Sequence, residues 1–276
     1  MNERDEPMQI NPEHFTAESV ADGVVAITGS IGEQIYLIEG KEKALLIDTG
    51  IGIGDLAGFI KKLTRLPLQV LNTHAHVDHA GGNSGFGEIW LNPADGGLVW
   101  DACSYQSRLE NIKAIFSDTR LELKKALIKD KPYRLLPLEA GKVFDLGGRS
   151  LEVIEFPGHT EGSVCLLDAR NKLLFSGDSI VKTDLWLFLD HSMPLETYSI
   201  GLNEIKNRMA EFDLVFPGHL PRPINNGVIP QLLECASQVL EGKIAGEPFE
   251  CFAGKGLRCK YKECSIICND EKLFNQ

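Results

Sequence analysis

Leu71-Asn72-Thr73-His74-Ala75-His76-Val77-Asp78-His79 places four metal-seeking side chains within six consecutive positions. On an extended segment, residues two apart project to the same side, so His74 and His76 can grip one ion together. Asp78 and His79 then turn toward a second. Imidazole and carboxylate are ligands that zinc, iron and manganese all accept. A lone histidine is ordinary at the surface or in a core, where its ring nitrogens find hydrogen bonds readily. Four such residues in one turn of chain are a metal-binding pattern.

Working outward, three more residues of the same kind stand at the ends of short apolar runs closed by Gly or Pro. Residues 151–156 lead to Pro157-Gly158-His159, residues 172–175 to Ser176-Gly177-Asp178, and residues 214–216 to Pro217-Gly218-His219. Ala44–Ile47 likewise precedes Asp48-Thr49-Gly50, and Leu68–Leu71 precedes the histidine cluster. Short apolar runs bounded by Gly and Pro read as buried strands. Polar groups delivered at the exits of several strands are the usual way an α/β protein builds a site.

A chain of 276 residues, 43% hydrophobic, buries a large core and is read as one domain, 1–276, with additions. It has no apolar run of about 18 residues, so no membrane span is expected. Residues 1–12 are polar and acidic, unlike a secretory signal, and a cytoplasmic location is expected. Seven cysteines, an odd number without paired Cys-x-x-Cys spacing, read as reduced thiols. A net charge of −11 tells against a nucleic-acid partner, because phosphate binding draws on a basic face. The partner is expected to be a small-molecule substrate.

Apolar runs at 24–27, 35–38 and Ala44–Ile47 open an antiparallel sheet, and residues 55–66 have helical periodicity. Glu88–Leu91 reads as a further strand, 142–156 and 163–175 as hairpins, and Pro194 starts a helix running to about 211. Two segments look like additions to a core of about 20–225. Residues 95–133 read as a helical insertion covering the site. Residues 226–276 read as a helix, 228–241, followed by strands near 249–252, 256–261 and 265–268.

The combined set His-x-His-x-Asp-His, a distant His, an Asp and a final His resembles the metallo-β-lactamase superfamily, over about residues 20–225. The resemblance implies a four-layer αββα sandwich. It implies that His74, His76 and His159 hold one divalent ion, that Asp78, His79 and His219 hold a second, and that Asp178 bridges them. The ions would be two, zinc first, with iron or manganese as alternatives. Asp178 is similar to the bridging residue of the glyoxalase II and lactonase branch, whereas true β-lactamases of this fold lack it. Asp48 resembles the family's aspartate that orients ligands without binding metal.

The implied chemistry is attack by a bridging hydroxide on a small ester, thioester or lactone, with Asp78 as the catalytic carboxylate. Alternatives on the same fold are a phosphodiesterase or nuclease and an iron-dependent persulfide-type oxidation. A binding protein that keeps the fold and its ions is a further one. Substrate contacts are expected from Trp100 and Tyr105 in the insertion and from Trp186, Phe188 and His191 after Asp178, and Thr160 and Ser179 are expected to buttress His159 and Asp178.

Overall fold

The computed structural model describes residues 14–116 and 121–275. The polar start at 1–12 and residues 117–120 of the expected insertion lie outside them. A seven-stranded sheet runs in chain order through β1 (Thr16–Ala21), β2 (Val24–Thr28), β3 (Gln34–Glu39), β4 (Ala44–Ile47), β5 (Leu68–Leu71), β6 (Glu88–Leu91) and β7 (Arg134–Pro137). Its first four strands pair antiparallel and the rest parallel. Helix α1 (Leu56–Leu63) makes the first parallel crossover, capped by Asp55, which accepts from the Gly58 backbone N–H at 2.9 Å.

The second sheet has six strands in the order β14-β13-β11-β10-β9-β8. These are β8 (Val143–Asp145), β9 (Ser150–Glu155), β10 (Val164–Asp168), β11 (Leu173–Gly177), β13 (Leu214–Pro217) and β14 (Ile224–Asn225). The two sheets meet face to face through Tyr36, Leu45 and Ile47 from one and Leu151, Phe175 and Phe216 from the other. Alternate residues of each strand face this interface, and those between them face the outer helices, so β3, β4, β10 and β11 are buried on both sides. Helix α1 covers the outer face of the first sheet through Leu56 and Ile60. Helices α6 (Leu195–Asn207) and α7 (Val228–Leu240) cover the second through Leu202, Ile205 and Leu232. The layers are therefore α, β, β and α.

A third, four-stranded sheet was not legible as a unit in the sequence. Strand β12 (Asp184–Leu187) pairs parallel with β17 (Cys264–Cys268), which continues through β16 (Gly254–Tyr261) to β15 (Glu247–Cys251). Its inner residues Cys259, Cys264, Ile266 and Cys268 join the core beneath α7. All seven cysteines are free thiols. Between β6 and β7 the chain forms α3 (Gly96–Ala102), α4 (Tyr105–Phe116) and α5 (Leu121–Ala126). Val99 and Cys103 pack on Ala75 and Ala80, so this insertion is anchored on the histidine segment itself. No helix among the described residues is long and apolar enough to cross a membrane.

Candidate metal centre

The chain leaves β5 at Leu71 and enters one turn of helix, α2 (Val77–Ala80), with His76 at its N-cap. His74 and His76 therefore sit before the turn, and Asp78 and His79 on it. His159 follows β9, Asp178 follows β11 and His219 follows β13, so all seven side chains meet at one rim of the sandwich. They form the overlapping triads His74/His76/His159, Asp78/His79/His219 and His74/His79/Asp178. Gly218 lies against this cluster, and a Cβ there would overlap His79 and Asp178. Only glycine lets the last strand approach so closely.

Hydrogen bonds on the far side of three of the rings, those of His74, His79 and His159, fix which nitrogen faces inward. Asp48 Oδ2 accepts from His79 Nδ1 at 2.8 Å. Its Oδ1 accepts from the Thr73 backbone N–H at 2.7 Å, and the Thr73 hydroxyl donates to Oδ2 at 2.9 Å. That hydroxyl, its proton committed, accepts from His74 Nδ1 at 3.0 Å. His159 Nδ1 donates to the Trp186 carbonyl at 2.7 Å. Nδ1 of each of these three imidazoles is thus engaged on the outer side, and Nε2 is the nitrogen presented to the centre.

Several polar atoms at the centre are left without a well-formed partner. His79 Nε2, His159 Nε2 and Asp178 Oδ1 are buried with no hydrogen-bond partner among the described residues. Asp178 lies 3.3 Å from His79 Nε2, 3.5 Å from His159 Nε2 and 3.3 Å from His219 Nε2. Asp78 Oδ2 lies 3.2 Å from His219 Nε2. Buried polar atoms are normally satisfied, and unsatisfied lone pairs converging from several imidazoles and carboxylates fit divalent cations.

The electrostatics agree. Burial, reinforced by neighbouring imidazoles, holds His74 and His76 well below the ordinary histidine value, and burial also lowers His159. Burial opposes charge on His79 and His219 as well, but carboxylates outweigh it. Asp178, Asp78 and Asp48 raise His79 well above its usual value, and Asp178 and Asp78 carry His219 to about 10. Against the same burial, His79 and His219 hold Asp78 and Asp178 below the usual carboxylate range. Without cations, protons on these imidazoles compensate the acidic pair.

The cluster floors a cavity of about 600 Å³, into which His76, Asp78, His159, Asp178 and His219 open. Trp186 and His191 line it, and His191 Nε2 makes a hydrogen bond to His76 Nε2, orienting a member of the cluster. Trp100 and Tyr105 are not among the lining residues. Trp100 is exposed and stacks on Tyr133 at 5.0 Å, while Tyr105 is covered by the Lys129 ammonium at 3.8 Å. The amphipathic helices that carry them turn Leu98, Ala102 and Ile115 to the cavity instead. Phe188 is buried against Trp186, 5.3 Å between ring centroids.

Thr160 and Ser179 do not reach the ligand side chains in the expected way. The Thr160 hydroxyl donates to Asp95 Oδ2 at 2.8 Å, and Ser179 offers its carbonyl to Tyr198 Oη at 3.1 Å. His159 is held instead by the Trp186 carbonyl, and Ser192 Oγ donates to the His159 carbonyl at 2.9 Å. Asp95 is a positioning residue that sequence reading missed. Fully buried, it accepts from Ala75 N and Gly162 N, each at 2.8 Å, and so ties the first histidine segment to the His159 loop. Its place just after Asn92-Pro93, at a helix start, was the available signal.

Residues 31–226 match the profile of the metallo-β-lactamase superfamily, and the chain belongs to that superfamily. It is similar to the human acyl-coenzyme A thioesterase MBLAC2, 28% identical over 233 residues that cover 75% of this chain and 81% of that protein. The hydroxyacylglutathione hydrolase GloC of Haemophilus influenzae is 26% identical over 198 residues, 65% of this chain and 81% of that one. Among solved structures, TTHA1623 in a di-iron-bound form superposes with a TM-score of 0.55 at 26% identity, covering 74% of this chain and 95% of that one.

Proposed function

We propose that the protein hydrolyses an acyl thioester or a related small ester or lactone at a dinuclear metal centre. In this reading His74, His76 and His159 would hold one ion, Asp78, His79 and His219 would hold the other, and Asp178 would be within reach of both triads. The observation that carries it is the Asp178 carboxylate standing within 3.3–3.5 Å of ring nitrogens from both triads, with its Oδ1 and two of those nitrogens unsatisfied. Zinc fits this donor set, and so do iron and manganese. Two such ions, when bound, supply a polarised solvent nucleophile and a positive field for the oxyanion that develops.

The chain's own residues do the rest. Asp78 faces the cavity and lies beside His219, where it can orient the attacking water and accept its proton. Asp48 and Thr73 lock the tautomers of His79 and His74, and His191 supports His76. Thioesters are favoured because the two curated relatives share the acyl–sulfur bond in their named substrates. The free thiols suit a reducing compartment such as the cytoplasm.

Elemental analysis of protein expressed with ample metal, run beside a panel of thioester, ester, lactone and phosphodiester substrates, tests this. The expected result is about two ions per chain and thioester turnover that Asp178→Asn lowers by about a hundredfold or more. Fewer than one ion per chain, or turnover confined to phosphodiesters, contradicts it.

A further inference from the structure

Beyond the ligand cluster, the cavity wall is largely apolar, with Asn111, Thr183 and Asp184 as polar members, and its apolar part comes chiefly from two segments distant in sequence. Leu98, Ala102 and Ile115 belong to the helices between β6 and β7, while Trp186, Leu189 and Phe252 belong to β12, the loop after it and the β15–β16 turn. Phe252 is unusual in being 55% exposed while lining this cavity. An aromatic ring left in water at the mouth of a binding cavity gains most when an apolar ligand covers it.

The sequence holds that ring in place deliberately. The β15–β16 hairpin lies flat on Phe188 because Gly254 and Gly256 carry no side chains. A Cβ at Gly256 would fall 2.8 Å from Phe188 Cβ, and one at Gly254 3.4 Å from the Phe188 ring. Gly254 also takes φ +138°, a backbone conformation that other residues avoid. Seated this way, the hairpin brings Phe252 to 6.1 Å from Trp186, with Phe249 6.4 Å from the same indole. Trp186 in turn gives its carbonyl to His159, so the aromatic wall begins beside the reacting centre.

We infer that Trp186 and Phe252 form an acyl-chain subsite, so that the enzyme selects thioesters of medium-length apolar acyl groups over acetyl. The inference rests on the hydrolytic reading above and deepens it. The thioester carbonyl sits over the ligand cluster, and the hydrocarbon chain runs along Trp186 to Phe252, facing Leu98 and Ile115. Phe252, at the hairpin tip, is the specificity-determining residue. Its exposure means that its removal takes nothing from the core.

The test uses N-acetylcysteamine thioesters from acetyl to octanoyl on the metal-loaded full chain, because this leaving group is small and uncharged. In the parent, kcat/KM should climb with chain length by up to about fourfold per added methylene. Phe252→Ser should cut the octanoyl-to-acetyl preference by about tenfold or more. A flat length profile, or a loss in Phe252→Ser shared equally by acetyl and octanoyl, overturns the inference.

Binding of 1-octanol, followed by tryptophan fluorescence, gives a readout that needs no turnover. Weaker octanol binding by Phe252→Ser, by about tenfold, supports the subsite, and equal binding or none overturns it. Should no thioester be hydrolysed at all, the catalytic reading fails while the octanol titration still decides the subsite.

Discussion

Replacing Asp48 with Asn changes one oxygen to an amide nitrogen at the point where the centre's proton positions are set. In the parent, Oδ2 accepts from His79 Nδ1 at 2.8 Å and Oδ1 accepts from Thr73 N at 2.7 Å. An asparagine keeps one acceptor, which the Thr73 N–H retains, and points its NH2 at the His79 N–H. Two donors then face each other in a buried site, and the conflict is relieved if His79 moves its proton to Nε2. That nitrogen is the one facing Asp178 at 3.3 Å, so the ring is lost as a ligand. Removing an outer partner of a metal-ligating histidine costs about 10–100-fold in affinity or activity, or about 1.4–2.7 kcal/mol. The magnitude should fall near the upper end, because Thr73 and His74 depend on the same carboxylate. Chelator-competition titrations of Asp48→Asn and parent measure it, with circular dichroism to show that the fold is retained. Affinities for both ions within about twofold of the parent would refute the tautomer argument.

Metal uptake should release protons, because His79 is raised well above its usual value and His219 to about 10 in the ion-free centre, and both must lose a proton to bind. Apparent affinity should therefore tighten as pH rises from 6 to 8, and calorimetry in buffers of different ionisation enthalpy should report net release; pH-independent affinity contradicts this. Glu33 is buried, and that desolvation, partly offset by the Ile31 and Ile51 backbone N–H groups, raises it to about 7. A carboxyl raised in the folded state binds its proton more tightly there. Stability is then lost as pH climbs from about 4.5 through 7, by up to about 3 kcal/mol, and urea unfolding of Glu33→Gln should lack that component. Arg149 Nε donates to Asp168 Oδ2 at 2.6 Å with both residues buried. Arg149→Met should cost about 3–5 kcal/mol by leaving the carboxylate uncompensated, and a loss below about 1 kcal/mol would show that Asn171 alone satisfies it.

The sandwich strands were legible because their cue is local: β4 and β5 are short apolar runs ending in turn residues, and α6 starts after Pro194. The seven clustered residues were legible for the same reason, each standing at a strand exit or in the dense segment 74–79. What escaped depended on distant pairing. Nothing in Asp184–Leu187 announces that it will pair with Cys264–Cys268, some eighty residues later, and so close a third sheet beside the cavity. The tie made by Asp95 was hidden likewise, since one carboxylate gathers donors from residues 75, 160 and 162. Trp100 and Tyr105 were misplaced because aromatic type does not tell which face of an insertion helix meets the cavity.

The most direct test of the central claim is anomalous scattering at a metal absorption edge from crystals grown with ample zinc, iron or manganese. Two peaks about 3.5–4 Å apart, one beside His74, His76 and His159 and the other beside Asp78, His79 and His219, with Asp178 touching both, are expected. A single peak with Asp178 turned away, or none within reach of these imidazoles, contradicts the account.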